Sequence, residues 1–278
     1  MANLNKVDEL IKKVEQSIKS PKKVSASDKL YVGVDLGTAY IVIVVLDENK
    51  QPVACEMKFA QVVRDGLVVD FIGATNIVRE LKKKLEDKLG FELTKAAIAV
   101  PPGTGERDIK THMYVVEGAG MEVVSVEDEP TAANAVLEVE NGVVVDVGGG
   151  TTGLSIFENG KVIYTADEAT GGTQLSLVVA GAYKIPFEEA EEKKKDIKNQ
   201  DEIFHIVTPV IQKIGSIVRT HIQGFNVEKI YLVGGTCCLK DFERIIKKET
   251  GIETIKPLNP FLVTPLGIAI NCASKENV

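Results

Sequence analysis

The chain of 278 residues is long enough for two compact lobes or one large α/β domain. A hydrophobic fraction of 44% excludes global disorder, because there is ample apolar material to offset chain entropy. A formal charge of −7, from 33 Lys and Arg against 40 Asp and Glu, excludes a strongly basic nucleic-acid footprint, and aromatics at 5% with no Trp leave few platforms for stacking bases.

No run reaches the roughly 18 apolar residues of a membrane span, and the longest, such as 41–46, are strand-sized. The first residues contain no apolar signal core. Cys55, Cys237, Cys238 and Cys272 include no C-x-x-C pair. A reduced, cytoplasmic protein is expected. His112, His205 and His221 lack metal-ligand spacing with the cysteines, and His205 reads as a core residue of an apolar helix.

In chain order, Leu4, Val7, Ile11, Val14 and Ile18 form an a/d stripe that predicts an amphipathic helix, ended by Ser20 and Pro21 and followed by a polar linker over 22–29. Two readings stand: a helix docked on its own protein, or a detachable helix for a partner's groove. Strands over 30–35, 40–46 and 53–59 form a meander with turns at Gly37 and Thr38 and over 47–50. A helix over 77–89 ends at Gly90, a strand over 96–100 stops at Pro101 and Pro102, and a helix over 107–118, a strand over 122–126 and a helix over 130–139 follow.

The pattern then restarts. Strands over 143–146, 154–157 and 162–165 surround the glycines 148–150 and the Asn159-Gly160 hairpin turn. Helices over 173–183, 187–197 and 203–223 come next, then a last strand over 230–233, a helix over 239–249 and a short apolar helix over 266–273. The repeat is of a unit: strand, Asp, Gly turn, strand, polar turn, strand, once at Asp35 and once at Asp146. It predicts an N-terminal helix and linker over 1–28, a lobe I over 29–142 with 262–278, and a lobe II over 143–261.

The strongest chemical signal is Asp146 ending a strand, followed by Gly148, Gly149, Gly150, Thr151 and Thr152. Consecutive glycines let backbone N–H groups approach a phosphate with no side chain in the way. A carboxylate beside a phosphate requires a cation, which points to Mg²⁺ held through water. Gly148, Gly150 and Gly153 also satisfy G-x-G-x-x-G, but that fingerprint must open a helix, and here a strand follows. Asp35, Gly37 and Thr38 repeat the logic. The run from Ile230 to Val233 into Gly234, Gly235 and Thr236 is either a tight strand-to-helix turn or a place where a flat ring presses on backbone. Lys193, Lys194 and Lys195 after the acidic 188–192 stretch read as an opposite-sign, solvated helix face, and Cys237 with Cys238 as small buried residues.

These motifs, in this order, resemble the actin/heat-shock-chaperone/sugar-kinase ATPase superfamily. Asp35 to Thr38 is similar to its first phosphate loop, and Asp146 to Thr152 to its second. The Glu129-Pro130-Thr131-Ala132-Ala133 run is similar to the connecting motif of DnaK-type chaperones and FtsA-type proteins, and Val233 to Thr236 to the adenosine motif. Ala190, Glu191 and Lys194 resemble the A-E-x-x-K helix of the bacterial actins. Within the superfamily, residues 64–70 and 182–190 look most like the EutJ family of ethanolamine utilisation, described as chaperone-like and encoded with bacterial microcompartment enzymes.

The resemblance implies a two-lobed actin-like (ribonuclease H-like) α/β ATPase fold with a nucleotide cleft between lobes. It implies ATP or ADP with Mg²⁺: Asp35 and Asp146 on the hydrated ion; Gly37, Thr38, Gly148, Gly149, Gly150, Thr151 and Thr152 on phosphates; Glu129 orienting water; Glu191 and Lys194 on ribose and base; and Gly234 and Gly235 flanking adenosine. It also implies a chaperone-like role toward ethanolamine-utilisation enzymes or microcompartment proteins; the a/d spacing of the N-terminal stripe, and not the resemblance, offers residues 1–28 as the docking helix. An actin-like filament or scaffold of the cell-division or pilus-assembly type is the alternative. Gly153 stands where DnaK-type and FtsA-type loops carry Asp, and the catalytic lysine has only Lys58 and Arg64 as candidates, so slow or absent hydrolysis is expected. At this length, no separate client-binding domain is expected beside the ATPase body.

Overall fold

The computed structural model describes residues 4–25 and 28–275; residues 26 and 27 of the expected linker, and the two chain ends, lie outside the described residues. The chain divides into two compact units, residues 1–138 with 262–278, and residues 139–261.

Unit 1 opens with helix α1 (Leu4–Lys19). Strands β1 (Tyr31–Leu36), β2 (Tyr40–Leu46) and β3 (Pro52–Phe59) form the antiparallel meander. A small hairpin absent from the sequence reading, β4 (Val63–Arg64) and β5 (Leu67–Val68), follows. Helix α2 (Phe71–Leu89) starts at Phe71 rather than at 77. Asp70 caps it, accepting the Gly73 N–H at 2.8 Å, while Ile72 at 73% exposure hides the first turn from an apolar-periodicity reading. Strand β6 (Lys95–Val100) runs parallel to β1. After α3 (Glu106–Gly118), strand β7 (Glu122–Asp128) runs parallel to β6 and leads into α4 (Glu129–Leu137). The sheet order is β3-β2-β1-β6-β7.

Ile41 to Leu46 of β2 are wholly buried, and Ile41, Ile43 and Val45 share one apolar cluster with Leu81 and Leu85 of α2 and Val115 and Val116 of α3. The C-terminal helix, Val263–Lys275, returns to this unit and packs on β1, β2 and α4. The approach is at backbone distance: a Cβ on Gly33 would stand 2.4 Å from the Ala269 nitrogen, and one on Gly267 1.9 Å from the Ala132 carbonyl oxygen.

The α1 stripe is covered by its own unit. Val7, Ile11 and Val14 are buried, and α1 packs on β3, α4 and the C-terminal helix. Covering each such side chain is worth about 1.5–3 kcal/mol. Lys22 continues the attachment, its N–H donating to the Val53 carbonyl at 2.8 Å and its ammonium pairing with Asp47 at 2.6 Å. This corrects the reading of residues 1–28 as a detachable helix that docks a partner through the stripe: the apolar positions such docking needs are occupied.

Unit 2 repeats the plan. Strands β8 (Gly142–Val147), β9 (Thr152–Glu158) and β10 (Lys161–Glu168) form an antiparallel meander. Helices α5 (Gly172–Tyr183), α6 (Phe187–Lys195) and α7 (Gln200–Ile222) follow. Strand β11 (Lys229–Val233) runs parallel to β8, and after α8 (Phe242–Thr250) strand β12 (Glu253–Ile255) runs parallel to β11. The order is β10-β9-β8-β11-β12, with the same senses as in unit 1. The strand over 230–233 is therefore not the last. β12 has three residues and buries only Thr254, which is too short and polar to register as a strand in sequence. The expected helix over 239–249 begins only at Phe242, after a 3₁₀ turn over Gly235–Cys238. Helix α6 stops at Lys195, and Asp196 caps a further short turn over Ile197–Asn199.

One histidine differs from expectation. His205 is exposed on α7, whereas His112 is the buried one, its Nδ1 2.9 Å from the Asp108 carbonyl oxygen. His221 lies between the Tyr164 hydroxyl at 2.8 Å and the Glu168 carboxylate at 3.1 Å. Among the described residues no helix is long and apolar enough to cross a membrane.

Candidate functional site

In unit 2 the sequence-predicted residues converge on the turn between β8 and β9. Asp146 is the last residue but one of β8 and is buried. The glycines then run into β9, a strand, so the dinucleotide fingerprint lacks its helix. The turn closes on itself through the Gly148 N–H, which donates to the Thr151 carbonyl at 2.9 Å. Its carbonyls are held from behind. The Gly148 oxygen accepts from the Gly172 N–H at 3.0 Å and from the Thr236 hydroxyl at 2.7 Å, and the Gly149 oxygen accepts from the Thr173 N–H at 2.7 Å.

Two consequences follow. Gly172 and Thr173 are the first residues of α5, so the turn satisfies donors that a helix start leaves without intrahelical partners. The positive end of the α5 dipole is thereby set against the glycine turn. In addition, every peptide bond described is trans, so each N–H points away from the carbonyl that precedes it. With the Gly148 and Gly149 carbonyls bound to the start of α5, the N–H groups of Gly149 and Gly150 are directed to the other side. Two adjacent amides aimed the same way form an anion cradle.

Gly234, after β11, is the close neighbour of this turn. Its φ of +90° with ψ of 156° suits glycine alone, and a Cβ there would stand 2.3 Å from Asp146 Oδ1 and 2.5 Å from the Val147 carbonyl oxygen. Gly235 faces a flat ring, but the ring is Phe261, whose Cδ2 lies 3.3 Å from where a Gly235 Cβ would be. Lys256 fixes the following turn, its ammonium donating to the Cys237 carbonyl at 2.9 Å and the Leu239 carbonyl at 2.8 Å and pairing with Glu243 at 2.9 Å.

Glu191 and Lys194 lie in α6 and are tied to the same place. Lys194 pairs with Glu191 at 2.8 Å and donates to the Gly172 carbonyl at 3.1 Å, and Ser176 of α5 also donates to Glu191. Burial opposes ionisation of Glu191, but Lys194, Ser176 and Lys195 outweigh it and hold its carboxyl below the ordinary carboxylate range. The solvated-face reading of the lysine run therefore fails at Lys194, which is partly buried and directed to Glu191 and the Gly172 carbonyl rather than to water. Thr152 is likewise engaged: it is fully buried and its hydroxyl donates to the Thr170 carbonyl at 2.6 Å. Of the adjacent cysteines only Cys237 is buried; burial, with Asp146 nearby, pushes its thiol well above its ordinary value, while Cys238 is exposed.

In unit 1, Asp35, Gly37 and Thr38 occupy the equivalent β1–β2 turn, with Asp35 half-buried opposite Val42. Glu129 opens α4, whose cap is Asp128: its carboxylate accepts the Thr131 N–H at 2.9 Å and the Thr131 hydroxyl at 2.7 Å. Lys58, a candidate for the catalytic lysine, pairs with Glu80 at 2.6 Å on the surface. Sequence reasoning missed Gly172, Asp128 and the hydroxyl of Thr236; a Gly-Gly pair just ahead of an apolar helix was the available signal for the first. No group of three or more His, Cys, Asp or Glu side chains suited to a metal ion exists among the described residues. The turn nevertheless fits a phosphate with a hydrated ion, since two directed amides and the hard oxygens of Asp146 are the donor types such a group takes.

The family model described as type IV pilus assembly protein PilM matches residues 108–272. The chain is 45% identical over 247 residues to the ethanolamine utilization protein EutJ of Salmonella typhimurium, covering 88% of this chain and 87% of that protein. The crystal structure of EutJ from Carboxydothermus hydrogenoformans is similar at a TM-score of 0.91 and 48% identity, covering 97% of this chain and 99% of that one. MreB5 of Spiroplasma citri bound to AMPPNP shares the fold at a TM-score of 0.74 and 16% identity, over 90% of this chain and 98% of that one. The Salmonella and Carboxydothermus relatives, 45% and 48% identical over most of each chain, establish that this chain belongs to the EutJ family, with a fold that MreB5 shares.

Proposed function

We propose that the chain binds ATP and ADP with Mg²⁺ and serves ethanolamine utilization as a chaperone-like protein, its nucleotide state setting its hold on an enzyme or microcompartment protein of that pathway. The observation that best supports nucleotide binding is the pair of Gly149 and Gly150 amides directed away from α5 beside Asp146. In this reading these amides and Thr151 hold phosphate oxygens, and Asp146 holds the hydrated ion. When bound, Mg²⁺ neutralises phosphate charge. Asp35, Gly37 and Thr38 are the counterparts in unit 1, and Glu129 orients the attacking water. Gly153, opposite Asp146 in the β8–β9 register, brings no second carboxylate, so turnover is slow or absent. The pathway assignment draws on the EutJ relatives.

The test is calorimetric titration with ATP and ADP in Mg²⁺, comparing the parent with Asp146→Asn. Affinity in the parent that falls in the variant is expected; no affinity in the parent overturns the reading. Rapid phosphate release would contradict the Gly153 argument. A second reading, a pilus-assembly-type scaffold, draws on the match of residues 108–272 to the PilM model, and ATP-dependent pelleting of polymer would favour it.

A further inference from the structure

We propose that Thr236 is a positioning residue for the phosphate turn: its hydroxyl, by holding the Gly148 carbonyl, fixes the direction in which the Gly149 N–H points. The proposal rests on the reading of that turn as the phosphate site, and it gives Thr236 a task apart from contact with adenosine.

The Gly148–Gly149 peptide is flanked on both sides by glycine, so side-chain sterics do little to oppose its rotation. One hydrogen bond to the Gly148 oxygen would leave the plane free to pivot about that bond. Two donors from different elements remove the freedom: the Gly172 N–H at 3.0 Å belongs to α5, and the Thr236 hydroxyl at 2.7 Å belongs to the turn after β11. Thr236 is itself buried, so the bond is shielded from water. If the plane turned over, a carbonyl oxygen would face the anion where the N–H had been, and attraction would become repulsion.

Gly172 offers a second route to the same bond. A Cβ at Gly172 would lie 2.5 Å from the Thr236 hydroxyl oxygen, so an alanine there displaces the hydroxyl with Thr236 itself unsubstituted. Gly172 is held in turn by Lys194, which donates to its carbonyl at 3.1 Å. The turn after β11, the start of α5 and the α6 lysine thus form one hydrogen-bonded chain ending at the Gly148–Gly149 peptide.

The experiment compares Thr236→Val, Thr236→Ser and Gly172→Ala with the parent, titrating the full chain with ATP and ADP in Mg²⁺ and, separately, with adenosine. Thr236→Val and Gly172→Ala are expected to lose about tenfold in affinity for ATP and ADP, the worth of one hydrogen bond, with adenosine affinity unchanged. Thr236→Ser retains the parent affinities. Parent-like ATP binding by Thr236→Val overturns the proposal, as does an equal loss for ATP and adenosine, which marks a merely structural role. A readout without nucleotide separates this idea from the nucleotide reading. The ¹⁵N order parameter of the Gly149 amide in the unliganded chain should fall in Thr236→Val and hold in Thr236→Ser, and an unchanged value refutes the positioning claim even if the parent binds no nucleotide.

Discussion

Gly234→Ala is the most informative single substitution, because two separate costs meet at one backbone position. The first is conformational. At φ +90° and ψ 156°, Gly234 occupies a region closed to side chains with a Cβ, and holding alanine there costs about 1–3 kcal/mol. The second is steric. The new methyl would stand 2.3 Å from Asp146 Oδ1, 2.5 Å from the Val147 oxygen and 2.7 Å from the Val147 carbon, and two of these three are backbone atoms that cannot swing aside. Overpacking of this kind adds about 1–3 kcal/mol. The sum is about 2–6 kcal/mol, or roughly 4–24 °C in melting temperature at about 2–4 °C per kcal/mol. Gly160→Ala is the matched control: its φ is +73°, also left-handed, but nothing lies within 4 Å of the added methyl. That control should cost about 1 kcal/mol from backbone strain alone. Both variants are compared by urea and thermal unfolding followed by circular dichroism. If Gly234→Ala melts within 2 °C of Gly160→Ala, the close approach of β11 to the Asp146 turn has been misread.

Other substitutions test separate parts of the structure. Lys256→Met removes the ammonium shared by the Cys237 and Leu239 carbonyls and Glu243, and should destabilise by about 1–3 kcal/mol in urea titration; a neutral result would show these carbonyls to be satisfied by water. Burial acts to raise the Asp47 carboxyl, but Lys22 and the N–H groups of Gln51 and Asn49 outweigh it and hold it below its ordinary value of 3.8. The stability this contributes is present above the unfolded value and lost as pH falls through the lower folded one. Asp47→Asn should therefore be less stable at neutral pH, with a shallower loss below about pH 4, and parallel acid limbs for parent and variant would refute the pairing. A thiol reagent should label Cys238 first, since Cys55, Cys237 and Cys272 are buried and burial pushes the Cys55 thiol up to about 12; two or more fast thiols would contradict that burial.

What the sequence disclosed, and what it withheld, follows from the range of each interaction. Asp35 and Asp146, each ending an apolar strand before a glycine, announced two copies of one sheet, because a strand and its turn are local. The short elements β4, β5 and β12 were silent because two or three residues carry no period; β4 and β5 pair with each other across a tight turn, and β12 takes its partner, β11, from about twenty residues upstream. The site divides in the same way. The glycines of the second turn were legible, but the reason for Gly235 was not, because Phe261 comes beneath it only through the fold. Gly234 was legible as a turn and illegible as a neighbour of Asp146. Lys194 was hidden by composition, since a basic run after an acidic one on a short helix ordinarily faces water, and only the packing of α6 on α5 turns one lysine inward.

The return of the C-terminal helix to unit 1 bears on how the chain is made. Residues 139–261 are contiguous and contain all the partners of their own sheet, so they can fold while synthesis is still under way. Unit 1 emerges from the ribosome first yet is completed last, for Gly33 and Gly267 meet their neighbours only when the final helix arrives. Until then the surface of β1 that this helix covers stands open to other chains. Loss of the helix from Val263 onward would thus strike the oldest part of the nascent protein, while leaving the younger unit 2 sheet whole.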